Sequence, residues 1–336
     1  MSQKSIQVLV LVLASVGWTG AAVATPPPSP PVARGLSSPE SVQAWKKQHG
    51  NWGRWGPEDQ LGTANLITPA KRKEAAKLVR EGVSVSLAHT LETRQAADVP
   101  SPLEHQMLFH GEAPESTYSA DRLALGFHGW SHTHLDALCH VFDEGRTYNG
   151  YAQSKVDAKG CSVLSVNAVR DGLTTRGVLI DMAAFKGVPY LEPGTPIHAA
   201  DLEAWERKTK VKVTSGDAVI VRTGRWARRA AVGPWDVSSH SPGLHLSSVE
   251  WFAARGVAVV ATDVGLDVLP SGVEGFVMPV HVLLINTLGV HVIDNADPEA
   301  LAKAAAARGR YDFLLSVAPL AVEGGTGSPV NPIATF

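Results

Sequence analysis

Short apolar runs rich in β-branched residues recur through the second half of this chain, with helical segments between them. Gly177-Val-Leu-Ile-Asp181, Asp217-Ala-Val-Ile-Val-Arg222 and Val257 to Ala261 each read as a buried strand. Ser247 with Glu250 three residues later forms a capping-box pattern, and the helix through Trp251 and Phe252 stops at Gly256. Asp297 and Pro298 open an alanine-rich helix that closes at Gly309, and Tyr311 to Val317 makes a last strand. Earlier in the chain, Thr68 as N-cap and Pro69 at the first helical position start a helix that Gly82 ends. Val83 to Leu87 follows as a strand. This alternation predicts an α/β architecture, and a mixed sheet is at least as well supported as a purely parallel one. No internal repeat and no phosphate-loop or dinucleotide fingerprint is present.

With 336 residues, 44% of them hydrophobic and 18% charged, the chain has the composition of an ordinary globular protein. A net charge of −2 and the lack of a long Lys/Arg run argue against a nucleic-acid partner. Lys4, the apolar run Val8 to Val16 and then Ala22-Val-Ala24 have the layout of a secretory signal peptide, with cleavage expected after Ala24. The organisation expected is a signal peptide over 1–24, a proline-rich tether over 25–44 and a single catalytic domain over 45–336. The product is exported, periplasmic or extracellular, with no membrane partner after cleavage. Cys139 and Cys161 are the two cysteines, so no disulfide framework is expected, and Cys139 reads as a small buried residue.

The chemistry concentrates in the run His128-Gly-Trp130-Ser-His132-Thr-His134-Leu-Asp136-Ala-Leu-Cys-His140. If this segment is extended, the two-residue period sends His132, His134, Asp136 and His140 to one face. Imidazole and carboxylate suit Zn²⁺, Mn²⁺ or Fe²⁺, and a hydrolytic metal site keeps open positions for water and substrate. Histidines also cluster on solvated strand edges without binding anything, so the spacing needs support from elsewhere.

That support is a resemblance. His134-Leu-Asp136-Ala-Leu-Cys-His140 resembles the signature of the metal-dependent cyclase family, His-x-Gly-Thr-His-x-Asp-x-x-x-His, a family that includes bacterial kynurenine formamidases and isatin hydrolase. Trp55-Gly-Pro-Glu-Asp-Gln-Leu-Gly, Thr147-Tyr-Asn-Gly150, Gly216-Asp217 before Arg222-Thr-Gly224, Ser241-Pro-Gly-Leu244 and Trp251 to Asp263 are similar to its larger members, in family order. The resemblance implies a swivelling β/β/α-type fold with a mixed sheet, a divalent metal (zinc or manganese) and a homo-oligomer. It also implies hydrolysis of an amide, lactam or related acyl bond by a metal-activated water. His134 and Asp136 match metal ligands, and His140 matches the general base or proton shuttle. His281 and Asp294 match positions where the family supplies a histidine and a glutamate to the metal.

One departure stands out: the first signature histidine falls on Trp130, and the glycine position is His132. Either His132 or His128 restores the ligand, or Trp130 caps an aromatic substrate over a weaker metal site. Asp263, at the end of a strand, either supports the substrate pocket or caps a turn. The leading expectation is an exported hydrolase of a cyclic or aryl amide, similar to a kynurenine formamidase. The rivals are a lactonase or cyclase-type enzyme and a catalytically silent small-molecule binding protein.

Overall fold

The β-branched runs become the buried centre of a nine-stranded mixed sheet in the computed structural model, which describes residues 36, 38–112 and 115–336. In chain order its strands are β1 (Ser84–Ser86), β2 (His134–Asp136), β3 (Leu173–Asp181), β4 (Ala218–Arg222) and β5 (Val259–Thr262), then β6 (His291–Asp294), β7 (Asp312–Val317), β8 (Gly327–Pro329) and β9 (Ile333–Thr335). They lie side by side as β1-β9-β7-β3-β4-β5-β6-β2-β8. The four central strands, β3 to β6, are parallel to one another, and the strands on either flank pair antiparallel. Parallel strands covered on both faces need apolar side chains on both, hence the unbroken runs that marked β3, β4 and β5 in the sequence.

Helices α1 (Pro39–His49), α2 (Pro69–Ala76), α3 (Ala199–Thr209), α4 (Arg225–Val232), α5 (Ser248–Arg255) and α6 (Glu299–Arg308) fill the connections. The Thr68 side chain accepts from the Lys71 N–H, as its cap pattern predicts, and α5 and α6 end at Gly256 and Gly309 in the left-handed conformation.

Four expectations are corrected. The tether cannot run to residue 44, because Ser38 caps α1 and Pro39 occupies its first turn; residues 1–24 and the rest of the tether lie outside the described residues. Ser247 makes no cap to α5: its hydroxyl is taken by the neighbouring His245 Nδ1 at 3.1 Å. Tyr311 to Val317 is not the last strand, since β8 and β9 follow in a Pro-containing stretch that only flanking positions of a sheet tolerate. Cys139 and Cys161 form a disulfide, which ties the turn after β2 to the short hairpin Val156–Cys161.

His291 opens β6 and is wholly buried; its Nε2–H donates to the Leu61 carbonyl at 3.0 Å, and its Nδ1 has no partner. A proton on Nδ1 would have no acceptor, and burial pushes the imidazole down to about 4. The folded pKa is thus below the unfolded value near 6.5, so the unfolded chain binds the extra proton first. The stability this residue contributes is present above about pH 6.5 and is lost as pH falls through about 4, on the order of 3 kcal/mol in all. Urea melts at pH 7 and pH 4 should show that loss, and His291→Gln should flatten the slope; equal slopes in both proteins would refute the assignment.

Candidate metal centre

The register of β2 against β6 builds the site. His134 lies opposite Asp294 and Asp136 opposite Val292, which brings ligands from distant parts of the sequence to the carboxyl end of a central strand. Open α/β sheets place their sites at such ends. The strand holds only His134–Asp136, so period-two alternation does not extend to the outer histidines. His140 returns to Asp136 through a turn closed by its own N–H to the Ala137 carbonyl, and His128 reaches in from the preceding loop.

His128 Nδ1, His134 Nε2 and His140 Nε2 lie 3.1, 3.5 and 3.9 Å from Asp136 Oδ1. The ligand atoms of His128, Asp136 and His140 fall within 4.8 Å of one another, as do those of His134, Asp136 and Asp294. Asp136 therefore belongs to both sets. The far nitrogens are already engaged: His134 Nδ1–H donates to the His132 carbonyl at 2.8 Å, and His128 Nε2 meets Thr326 Oγ1 at 3.0 Å. Such outer contacts fix the tautomer and aim the inner lone pair.

What remains inside is a set of lone pairs without donors. Both oxygens of Asp136, Oδ1 of Asp294 and Nδ1 of His128 are buried and have no hydrogen-bond partner. Buried carboxylate oxygens are costly unless paired or coordinated, and a divalent cation at either convergent set would satisfy Asp136 together with His128 or with Asp294. Nitrogen and oxygen donors in this mixture suit zinc or manganese. Burial pushes the Asp136 carboxyl up, yet the imidazoles of His140, His128, His134 and His281 outweigh it and hold the group well below the usual carboxylate range.

His281, on the turn Pro279–His281, is held between two carboxylates: Nδ1 is 2.8 Å from Asp267 Oδ2 and Nε2 is 3.1 Å from Asp294 Oδ2. Burial opposes its charge, but Asp294 and Asp267 together raise its pKa well above the ordinary value. His281 thus contacts Asp294 directly and belongs to neither convergent ligand set. The π-helix Val282–Thr287 follows it, a form common beside functional sites. Asp267 had no signal in the sequence; it sits in a loop with no recognisable spacing to the histidine run.

Two sequence expectations change, and a third residue stays where it was expected. His132 is buried with Nε2 on the Ser101 carbonyl at 3.1 Å, because the chain turns before β2 begins; the imidazole that reaches Asp136 is that of His128. Asp263 does not line the pocket. It is wholly buried and caps the start of α4, accepting from the N–H groups of Thr223, Gly224 and Arg225 and from the Thr223 hydroxyl, while burial pushes its carboxyl up to about 6 against those bonds. Trp130 does line the pocket, and its ring packs against Gly265, where an added Cβ would come within 2.4 Å of it.

The cavity over the cradle measures about 530 Å³. It is lined by the polar His128, His134, His140, His281 and Asp294 and by the apolar Trp130, Val141, Phe142, Met278 and Val282. A cleft of about 940 Å³ elsewhere is lined by Glu58, Asp59, Asp157 and Lys159 among others and includes no histidine. The smaller cavity is the one that brings the histidines and Asp294 together with apolar side chains.

Fold and site together define an α/β protein with a His/Asp cradle suited to a divalent cation. The chain belongs to the cyclase family: the model described as "Putative cyclase" matches residues 85–267. A crystal structure of a novel cyclase is 32% identical, covers 86% of this chain and 100% of its own, and superposes with a TM-score of 0.78. An isatin hydrolase bound to the product analogue thioisatinate is 20% identical over 80% of this chain and 97% of its own, with a TM-score of 0.55. Isatin hydrolase A from Labrenzia aggregata, bound to benzyl benzoate, is 20% identical over 77% of this chain and 94% of its own, with a TM-score of 0.57. The last two likenesses concern the fold, which is the cyclase-type mixed α/β arrangement expected from the sequence. No curated protein matches.

Proposed function

We propose that this protein is an exported, metal-dependent hydrolase of a cyclic or aryl amide. The observation that carries the reading is the set of buried, unpartnered lone pairs on Asp136, Asp294 and His128, beside a cavity that His128, His134 and Asp294 line together with Trp130, Phe142 and Met278. His128, Asp136, His134 and Asp294 would hold the cation. A divalent metal bound there supplies a Lewis acid that polarises an acyl oxygen and lowers the pKa of water toward neutrality.

The chain's own groups do the rest. Trp130, Phe142 and Met278 offer flat and flexible apolar surface to an aryl group in the cavity. His140 is partly exposed and stacks on His128 with ring centroids 4.0 Å apart. Burial lowers its pKa, Asp136 opposes this, and the neighbouring imidazoles reinforce it, so Nε2 is free to accept a proton at neutral pH and return it to a leaving nitrogen.

Export is supported by the signal-peptide layout of residues 1–24 and by the Cys139–Cys161 disulfide, a bond that persists in oxidising compartments. A homo-oligomer is favoured by the hairpin Glu104–Phe109/Ala120–Ala124, which exposes Met107, Leu108, Phe109 and Leu123.

The test loads the mature protein with Zn²⁺ or Mn²⁺ and assays isatin, an N-formyl aryl amide and an aryl lactone. Turnover of an amide or lactam is expected, and His140→Ala should lower it roughly 10²–10⁴-fold while the metal stays bound. Turnover of the lactone alone would make the protein a lactonase, and binding without turnover would make it a binding protein. Metal lost from His140→Ala would mean that His140 is a ligand and not the base.

A further inference from the structure

Asn295 directly follows Asp294, is wholly buried and adopts a left-handed backbone with φ 54°. Its Nδ2 donates to the Gly129 carbonyl at 2.7 Å and to the His132 carbonyl at 3.3 Å, the two ends of the loop that carries Trp130. Its own carbonyl accepts from the Thr133 hydroxyl at 2.7 Å. Its Oδ1 accepts from Arg225 at 2.6 Å, and the same guanidinium donates to the Trp130 carbonyl. Arg225 is itself wholly buried and starts the helix that Asp263 caps.

We propose that Asn295, braced by Arg225, is a positioning residue that fixes the two halves of the metal cradle against each other. One half is Asp294 on β6; the other is His128, Trp130 and His134 on the loop and strand that precede Asp136. The path is short on both sides. The His132 carbonyl that receives Nδ2 also receives the Nδ1–H of His134, so the amide of Asn295 helps to set the plane and tautomer of that ring. On the other side, Asn295 is bonded in sequence to Asp294. An amide is required here because it offers donors to two carbonyls and an acceptor to a guanidinium at once, and asparagine tolerates the left-handed backbone better than most residues.

This inference rests on the metal-hydrolase reading, and the experiment separates the two. Asn295→Gly keeps the left-handed backbone and deletes the clasp. Asn295→Asp keeps the acceptor for Arg225 and removes the donors. The dissociation constant for Zn²⁺ is read by chelator competition, together with the visible spectrum of the Co²⁺-substituted protein and the melting temperature. Thr175→Val, on β3, a central strand that does not pair with β6, loses a buried hydroxyl bond to the Gly216 carbonyl and is the control for general loosening.

Both Asn295 variants are expected to bind Zn²⁺ roughly 10- to 100-fold more weakly, with an altered Co²⁺ spectrum, while Thr175→Val keeps wild-type affinity and spectrum. If Asn295→Gly does not fold, Asn295→Asp carries the test alone. Affinity within twofold of wild type in a folded Asn295 variant overturns the inference and leaves the hydrolase reading intact. Equal weakening in Thr175→Val also overturns it. A wild-type protein that takes up no metal overturns both.

Discussion

Asp136→Ala should leave the protein without metal. Asp136 is the one residue common to both convergent ligand sets, so its removal breaks each of them, whereas His128→Ala or Asp294→Ala breaks one. Elemental analysis of the mature protein should give one or two equivalents in wild type, none in Asp136→Ala and an intermediate or weakened content in the others. Turnover of any amide substrate should fall by at least roughly three orders of magnitude in Asp136→Ala, since water with its ordinary pKa of ~15.7 supplies almost no hydroxide at neutral pH. Full metal content in Asp136→Ala would dismantle the cradle as described.

Removing the Cys139–Cys161 disulfide should cost about 3 kcal/mol, the chain-entropy value for a loop closed across 22 residues. Urea melts of wild type and the Cys139→Ala/Cys161→Ala double variant, run without reductant, measure it. The effect should extend beyond stability. Cys139 immediately precedes His140, and the disulfide anchors the turn that carries that imidazole back to Asp136, so turnover should fall with metal content maintained. Identical midpoints in the two proteins would show that the bond contributes nothing to the fold.

Much of the architecture was legible because the central strands are buried on both faces and wear that burial as unbroken Val/Ile runs. The Thr68 cap and the glycine stops at Gly256 and Gly309 were legible for a similar reason, each being a local hydrogen-bond or backbone requirement that a single residue meets. His134, Asp136 and His140 were legible as a set because the short strand and its closing turn lie within one stretch of sequence.

The remainder depended on tertiary contacts. Periodicity placed His132 beside His134, but the chain turns before β2, and the Ser101 carbonyl claims its ring. Ser247 has the sequence of a cap, yet His245 competes for its hydroxyl. The disulfide joins two elements whose proximity no spacing encodes. Asp267 acts through His281 on the turn that follows and Asn295 through partners far away in the chain, and a lone aspartate or asparagine in a loop carries no local mark of such a role. Asp263 looked like either a pocket residue or a cap, and four donors converging on it from the loop after the neighbouring strand β4 decide for the cap.

The pairing of His134 with Asp294 ties any bound cation to the seam between two strands. Asp294 comes from the late part of the domain and meets His134 only when β2 docks on β6, so the His134/Asp136/Asp294 set exists only in the folded chain, whereas His128, Asp136 and His140 are neighbours in the sequence. A cation held there would bind the folded chain in preference to the unfolded one, so that its removal would lower the melting temperature as well as silence the site.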